Sequence, residues 1–229
     1  MCADIPKPQE PLIEGMSARD RVDRLHDEIR SRITLLDYPP GAKLSETELA
    51  EEFGVSRTPL RRVLARLEDE GLLTSVHGVG TFVTVVDYEE LAQVYRIRKE
   101  LILMQTSLDV VPPTPELIDR VREIQQRASA IKESPTMRAF ALLDRDMFLT
   151  LLDLTSNGPL RNICTRLYFW TARIWLEQVT SSEIDLSQEI DIYANEVRDI
   201  LAALEAGDLD AVGHLRRSHI SLSFARMRK

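Results

Sequence analysis

Apolar residues recur at helical spacing from Ser17 onward, where the chain first takes on a regular pattern. Val22, Leu25, Ile29 and Ile33 are three or four positions apart, so one apolar face runs along a predicted helix. Two shorter helices follow, each beginning at a serine that can cap it and ending at a glycine suited to a positive φ. The serines are Ser45 and Ser56, and the glycines are Gly54 and Gly71.

The pattern changes to short strands after the third helix. Residues 72–76 and 81–86 flank the turn His77-Gly78-Val79-Gly80, which predicts a two-stranded β-hairpin. Residues 43 and 44 can form a further short extended piece. Three helices and a hairpin over residues 17–86 predict a winged helix-turn-helix, preceded by a flexible tail over residues 1–16.

The remainder of the chain, residues 87–229, has only helical patterning. Apolar positions such as Leu91, Val94 and Ile97 suit helices that pack in a bundle, and five breaks divide the region into six helices. Thr114 and Ser134 each precede a proline and are expected to cap the helices that follow. We therefore predict a mainly α protein, with an N-terminal winged helix-turn-helix, a small β-hairpin wing and a C-terminal all-α six-helix bundle.

The net charge argues against a nucleic-acid-binding protein, but the distribution of charge does not. The 229 residues carry 29 Lys and Arg against 37 Asp and Glu, a formal net charge of −8, whereas nucleic-acid-binding domains are usually basic. Residues 56–67, however, contain Arg57, Arg61, Arg62 and Arg66 and no acidic residue. This predicts a small DNA-contact patch, with weak non-specific binding and a modest salt dependence.

Several features bear on compartment and chemistry. No apolar run reaches the roughly 18 residues that a membrane helix needs, and the N-terminus has no signal-peptide core. Cys2 and Cys164 offer no disulfide framework. We therefore predict a cytoplasmic protein with no membrane partner. We find no glycine-rich phosphate loop and no nucleophile with a plausible base, so we expect no enzymatic activity. His26 and His214 are interpreted as surface residues.

The start of the third predicted helix carries the residues for DNA reading. Arg57 and Arg61 are four positions apart and project from one face. A helix in the major groove presents its N-terminal residues to base edges, and Arg can bind guanine through two hydrogen bonds. The hairpin tip is small enough for its backbone to approach the minor groove. The predicted DNA-contact residues are Ser56, Arg57, Thr58, Pro59, Arg61 and Arg62 in the helix, and His77, Gly78, Gly80 and Thr81 in the wing.

Short motifs across residues 17–86 are specific enough to indicate a family. They are Pro40-Gly41, Lys43-Leu44, Glu48-Leu49-Ala50, Gly54-Val55-Ser56-Arg57-Thr58-Pro59-Leu60-Arg61, Leu67-Glu68 and Glu70-Gly71-Leu72. This set resembles the signature of the GntR family of bacterial transcription regulators. The resemblance implies base contacts from Arg57, Thr58 and Arg61 and a minor-groove contact from Gly78. The chain departs from the family pattern at Arg62, which can add a phosphate contact, and at Val79, where the family often has arginine.

A second set of motifs lies in the helical region. They are Tyr95-x-x-Arg98, Phe148 with Ser156-Asn157-Gly158-Pro159-Leu160, and Ala203-Leu204-Glu205-Ala206-Gly207-Asp208 followed by Arg217-Ser218-His219. Residues 87–229 thereby resemble the FCD ligand-binding domain of the FadR subfamily, in its six-helix VanR-like branch. The resemblance implies a domain that binds an effector and forms dimers.

Many FCD domains hold a divalent metal with an Asp-x-x-x-His pair and two further histidines. When Phe148 and Gly158 are used as anchors, the first pair falls on Arg145 and Leu149. The next histidine position falls on Val197, and only His219 remains. A slip of one residue, to Asp144 or Asp146, is left open. We therefore predict no metal and no other cofactor.

The loss of these ligands suggests how the effector is bound. In one hypothesis Arg145 replaces the positive charge of the metal and binds a carboxylate effector directly, because the guanidinium fork matches a carboxylate. Arg98 would be a second anchor and His219 a third polar group. In the alternative the pocket has become apolar, and Leu149 and Val197 face a fatty or aromatic ligand.

These features together predict a transcription regulator that binds double-stranded DNA under the control of a small molecule. Two-fold symmetry would match a palindromic operator, so we expect a homodimer. Repression relieved by effector is the commonest behaviour that the resemblance implies, although the sequence leaves the sign open. Two alternatives remain, namely a DNA-binding regulator whose pocket has collapsed and an enzyme with an appended DNA-binding domain.

Overall fold

The computed structural model describes residues 17–85, 87–181 and 185–227. The chain divides between Val86 and Asp87 into two compact units. The predicted tail, residues 1–16, and Val86, the last residue of the predicted second wing strand, lie outside the described residues. Across the described part the fold is mainly helical with one small antiparallel sheet, which confirms the predicted fold class.

Three helices form the body of the first unit. They are α1 (Ala18–Thr34), α2 (Glu46–Glu52) and α3 (Arg57–Asp69). The predicted caps are at their places: the Ser17 side chain accepts a hydrogen bond from the Asp20 N–H, and Ser45 accepts one from the Glu48 N–H. Ser56 occupies the N-cap position of α3, but its side chain makes no capping bond. The Ser56 hydroxyl is therefore left available at the start of α3.

The sheet of the first unit has three strands, one more than the predicted hairpin. The strands are β1 (Lys43–Leu44), β2 (Leu73–Val76) and β3 (Gly80–Val83), in the order β1-β3-β2. Lys43 pairs with Phe82, and Val83 exchanges backbone hydrogen bonds with Gly41 and Ala42. The extended piece before α2 therefore covers the outer edge of β3, and β3 begins one residue earlier and ends sooner than predicted.

The core of this unit lies between α1 and α3. Leu25, Ile29 and Ile33 from α1 are buried, as the period of the sequence predicts. The residues buried from α3 are Leu60, Val63, Leu64 and Leu67. The face of α3 that carries its arginines is consequently turned away from the core.

Six helices form the described part of the second unit, as predicted. They are α4 (Tyr88–Gln105), α5 (Pro115–Ala130), α6 (Met137–Leu152), α7 (Gly158–Ser181), α8 (Leu186–Glu205) and α9 (Leu209–Arg226). Thr114 caps α5 as expected. The cap of α6 is Thr136 rather than Ser134, because the Thr136 side chain accepts the Ala139 N–H.

Helices α5, α6 and α8 share one apolar core, which includes Val121, Leu143, Met147, Tyr193 and Val197. Helix α4 packs against α7 and α9 on the other side of the unit. Polar side chains are concentrated where α4, α6, α7 and α9 meet, and this region holds the cavity described below.

Candidate DNA interface and effector cavity

The start of α3 is an exposed basic surface. Arg57, Thr58, Arg61 and Arg62 are exposed, and the first turn of the helix contains no acidic residue. Pro59 is half-buried on the same turn. Because the first N–H groups of a helix lack intrahelical partners, this end of α3 attracts anions as well as presenting its side chains.

Two of these arginines are held by the first turn of α2. Arg61 Nε donates to a carboxylate oxygen of Glu46 at 2.8 Å, and Arg57 Nη2 donates to the Thr47 hydroxyl at 3.2 Å. Residues 56–67 contain no acid, so the charge pattern of that window does not reveal Glu46, which lies ten residues before it. A helix-turn-helix brings the first turn of α2 beside α3, and this is the signal that could have identified Glu46.

The tip of the wing is built on two glycines with positive φ. Gly78 has φ +73°, and a Cβ there would meet nothing within 4 Å. Gly80 has φ +141°, and a Cβ there would lie 2.7 Å from Lys43 Cε. The side chain of Lys43 therefore lies against the wing and adds a cation that the sequence analysis did not include.

The other predicted wing residues lie at or next to this tip. His77 is exposed, and Val79 between the glycines retains 54% of its accessible surface. Thr81 is half-buried, and its hydroxyl is 3.4 Å from that of Ser75. The Ser75 N–H and hydroxyl donate to the carboxylate of Glu68 at 2.7 and 2.9 Å, which ties β2 to α3.

A groove of about 800 Å³, including space open to solvent, runs between α1 and the start of α3. Arg21 of α1 and Arg62 of α3 both line it, together with Ser56 and Thr58. Arg21 was missed by the sequence analysis because it precedes the helix-turn-helix motif. The groove joins it to the predicted contact residues.

His26 is fully buried and is not the surface residue that the sequence suggested. Its Nε2 lies 2.8 Å from a Glu70 carboxylate oxygen, and its Nδ1 lies 3.2 Å from one of Asp27. Burial alone lowers the pKa of His26, but the hydrogen bonds to the two carboxylates outweigh it, and the net pKa is raised above its usual value. Both ring nitrogens can donate only in the imidazolium form, so the site favours the protonated histidine.

The second unit contains a cavity of about 380 Å³, partly open to solvent. That figure includes open solvent, and the enclosed part has room for about one water molecule, far less than the roughly 300–1,000 Å³ of a typical small-molecule site. Of the five predicted effector-binding residues, only Arg98 lines it. The lining residues are Arg98, Leu101, Ile102, Gln105, Phe148, Leu151, Cys164, Arg216 and Ile220.

Three other predicted effector residues lie elsewhere. Arg145 is partly exposed, and its guanidinium is 3.3 Å from the Asp146 carboxylate. Leu149 is 41% exposed, and Val197 is fully buried in the core shared by α5, α6 and α8. The residue before each of the three predicted positions, namely Asp144, Phe148 and Glu196, contacts the cavity lining instead.

Arg98 is the cation of the cavity without a carboxylate partner among the described residues. Its Nη1 donates to the Thr171 hydroxyl at 2.5 Å, and its guanidinium lies over the rings of Tyr95 and Tyr168. Among the described residues, the ion pairs of this region are made by Arg216 and Arg217 and not by Arg98. This arrangement holds the side chain in place and leaves its charge unneutralised.

Arg216 of α9 is the second cation of the cavity, and its side chain is only 6% exposed. It donates to the Glu196 carboxylate at 3.0 Å and to the Asp144 carboxylate at 2.8 Å. The Tyr168 hydroxyl donates to the other Asp144 oxygen at 3.0 Å. His219, predicted as an effector residue, is beside this network, with Nδ1 2.8 Å from the second Glu196 oxygen.

Burial and charge act against each other in this network. Burial raises the pKa of Asp144, but the charge and hydrogen bond of Arg216 outweigh it, and the net pKa is below the usual value. The pKa of Tyr168 is raised by burial and by the adjacent Asp144. Asp144 is therefore held as a carboxylate, and Tyr168 is held as a neutral hydroxyl that donates to it.

Arg216 could have been found from its spacing. Val212, Arg216 and Ile220 are four residues apart and all three are buried, so a charged residue interrupts an apolar stripe. Such a residue is almost never buried unless it is paired.

Among the described residues, no group of three or more His, Cys, Asp and Glu side chains is arranged to hold a metal ion. Likewise, none of the described helices has the length and apolar character needed to cross a membrane.

Two family models match the chain. Residues 21–83 match the model described as bacterial regulatory proteins, gntR family, and residues 93–222 match that of the FCD domain. The first match covers α2, α3 and the wing, and the second covers the helices that enclose the cavity.

Curated relatives and solved structures agree with these matches. The Nta operon transcriptional regulator of Aminobacter aminovorans is 30% identical over 64% of this chain and 71% of its own. The probable D-xylose utilization operon transcriptional repressor of Paenarthrobacter nicotinovorans is 29% identical over 80% of this chain and 78% of its own. The solved structure of E. coli McbR/YncC superimposes with a TM-score of 0.81 at 22% identity, over 93% of this chain and 98% of its own, and supports the same fold.

Proposed function

This chain is a transcriptional regulator of the gntR family with an FCD domain, and from this premise we propose that it is a homodimeric repressor that leaves its operator when a small carboxylate enters the cavity. The relative from Paenarthrobacter nicotinovorans is named a probable repressor, which supports the sign of the proposal. The target is a palindromic operator in double-stranded DNA.

The observation that carries the DNA-binding proposal is the exposed start of α3. Arg57 and Arg61 stand on one face without an acid in their own turn. In this proposal α3 enters the major groove and its arginines bind base edges, while the wing glycines approach the minor groove. Arg21 and Arg62, which line one groove, bind backbone phosphates.

The dimer proposal is supported by an apolar stripe on α4. Ile97 and Met104 are two helical turns apart and retain 52% and 41% of their accessible surface. Exposed apolar side chains on one helix face are a common feature of subunit contacts. A two-fold dimer presents two copies of α3 to successive major grooves, which one copy alone cannot do.

The effector proposal is carried by Arg98 and its cavity. The guanidinium is positioned by Thr171 and two tyrosine rings and lacks a described carboxylate partner. A carboxylate that enters the cavity would supply that partner, and Leu101, Ile102 and Phe148 would enclose its apolar body. This replaces the sequence-based hypothesis in which Arg145 was the anchor. The charged lining favours this function over that of a regulator with a collapsed apolar pocket, and the effector must displace lining side chains to enter.

Operator selection tests the DNA-binding half of the proposal. The full chain is used to select binding sites from random double-stranded DNA, and affinity is then measured by fluorescence anisotropy. Arg57→Ala and Arg61→Ala should each weaken operator binding by about 5- to 150-fold, because each loses a base contact worth about 1–3 kcal/mol. Arg66→Ala is the matched control, since Arg66 lies on the same helix but pairs with Asp23 of α1. Equal losses in all three variants would overturn the assignment of α3 as the reading helix.

A ligand panel tests the effector half. Small carboxylates and their matched amides are screened by thermal shift, and those that bind are added to the protein–operator complex. A carboxylate, but not its amide, should raise the melting temperature and release DNA. Arg98→Gln should abolish both effects, whereas Arg96→Gln, at an exposed position of the same helix, should keep them. Equal responses of wild type and Arg98→Gln would exclude Arg98 as the anchor.

A further inference from the structure

Beside the cavity lie three residues of types that divalent metals accept as ligands, although they are not arranged as a metal site. Asp144 and Glu196 supply carboxylates and His219 supplies an imidazole, which are ligands that first-row transition metals accept. They come from α6, α8 and α9, so the fold brings them together from three helices. The FCD resemblance also implies a metal in this part of the domain.

The residues present do not fit a metal ion, because an arginine already bridges the carboxylates. Arg216 donates to Glu196 through Nη1 and to Asp144 through Nη2, at 3.0 and 2.8 Å. His219 contacts the second oxygen of Glu196 rather than converging with Asp144 on a shared point. Phe148, one turn after Asp144, stacks on Tyr168 with a ring separation of 4.0 Å and supplies no ligand atom.

We propose that the guanidinium of Arg216 is a built-in substitute for the metal cation, which makes this effector domain independent of metal. The side chain is 6% exposed and both of its terminal nitrogens are satisfied by carboxylates. The Glu196 side chain is 6% exposed and that of Asp144 is 28% exposed. Carboxylates withdrawn from water need a cation close by, and a planar guanidinium serves two of them at once. Arg216 thereby balances one of the two negative charges and bridges both carboxylates, and Arg98 remains as the cation that meets a ligand.

The proposal concerns the same cavity as the proposed effector site, but its readouts need no effector. If no carboxylate binds, the proposal of metal independence is not affected. If the metal experiments contradict that proposal, the operator and carboxylate experiments still stand by themselves. The probes are Zn²⁺ and Ni²⁺ themselves and a chelator.

The wild-type protein gives the first readout. After purification without added metal, elemental analysis should find far less than one Zn, Ni, Fe, Co or Mn per chain. Neither Zn²⁺, Ni²⁺ nor EDTA should shift its melting temperature by more than about 1 °C. A stoichiometric metal in the wild-type protein, or a melting temperature that rises with Zn²⁺ and falls with EDTA, would overturn the proposal.

Removing the guanidinium gives the second readout. Arg216→Met should lower the melting temperature and should make it respond to Zn²⁺ or Ni²⁺ by several degrees, because the ion can then take the place of the arginine. Arg217→Met is the matched control, because Arg217 is adjacent to Arg216 in the chain but pairs with Glu100. The melting temperature of this variant should stay insensitive to metal. A folded Arg216→Met that ignores both ions would contradict the proposal.

Arg216→Lys keeps the experiment decisive if Arg216→Met does not fold. A lysine retains the charge, so this variant should fold and stay insensitive to metal. An Arg216→Met protein that folds only in the presence of Zn²⁺ would support the proposal that the guanidinium takes the place of a metal ion. If it folds under neither condition, a metal-responsive Arg216→Lys would overturn the proposal, and an unresponsive one would support it.

Discussion

Arg61 of the reading helix is bound to Glu46 of the preceding helix, with Nε 2.8 Å from the carboxylate oxygen. The arginine proposed to contact DNA is therefore already paired in the absence of DNA. We expect this carboxylate to compete with DNA for the guanidinium, and so to lower the affinity for every DNA sequence.

Glu46→Gln tests this competition. The exposed ion pair is worth roughly 0.2–1 kcal/mol, so the variant should bind operator and random DNA about 1.4- to 5-fold more tightly. The gain should shrink as salt rises, because added ions screen the removed charge. Fluorescence anisotropy at several salt concentrations measures it.

Glu51→Gln is the matched control, because Glu51 is an exposed acid on the same short helix. A gain of the same size in both variants would attribute the effect to net charge rather than to Arg61. Unchanged binding in Glu46→Gln would show that the pair does not compete with DNA.

Val79→Arg should strengthen DNA binding through the wing. Val79 is exposed between Gly78 and Gly80, so the new side chain meets no steric obstacle at the tip. One added phosphate contact should increase the slope of log affinity against log salt by about one. Val85→Arg adds the same charge beyond the other end of β3 and should leave the slope unchanged. Equal slopes in the two variants would mean that the wing tip does not contact DNA.

His26 should make the first unit lose stability as the pH rises. Its pKa is raised in the folded state, so its contribution is fully present below the unfolded pKa of about 6.5 and is lost as the pH rises through the folded pKa. The imidazolium donates to both Asp27 and Glu70, whereas a neutral ring donates to only one. Hydrogen exchange of the α1 amides should therefore become faster as the pH rises above about 6.5, after correction for intrinsic exchange.

His26→Gln should remove most of this dependence, and His214→Gln, at an exposed histidine of α9, should not. An NMR titration of the wild type gives an independent check. A His26 resonance that titrates below 6.5 would contradict the assignment.

Arg32 should be a main determinant of the stability of the first unit. Its side chain is 4% exposed and donates to Glu28, Tyr38 and Glu52, which links α1 to the end of α2. Arg32→Met should lower the free energy of unfolding of this unit by about 2 kcal/mol. The loss is smaller than for a fully buried ion pair, because both carboxylates keep some solvent contact. Faster hydrogen exchange in α1 and α2 would report the loss. Arg19→Met, at an exposed position of α1, is the control and should exchange like the wild type.

Local patterns were sufficient to predict most of the fold. Ser17, Ser45, Thr114 and Gly54 act through the few residues beside them, so their roles can be read from the sequence. The strand pairing of Lys43 with Phe82 joins residues far apart along the chain, and no local pattern encodes it. The sequence therefore predicted a hairpin where the fold has three strands.

The effector site was harder to predict because it depends on which way a helix faces. Arg145 and Asp144 are adjacent, but successive residues of a helix point about 100° apart, so a slip of one residue moves a side chain from the cavity to the surface. Anchoring on Phe148 and Gly158 left that slip open. The burial of Val212 and Ile220 on either side of Arg216 would have supplied the missing constraint.

The short strand β1 also sets a condition for protein engineering. Its two residues close the outer edge of β3, and the Lys43 side chain occupies the space that a Cβ at Gly80 would need. A chimera that contains only the β2–β3 hairpin would expose the outer edge of β3 and leave the space beside Gly80 unfilled. The smallest transplantable wing therefore includes Lys43 and Leu44, although they precede the reading helix in the chain.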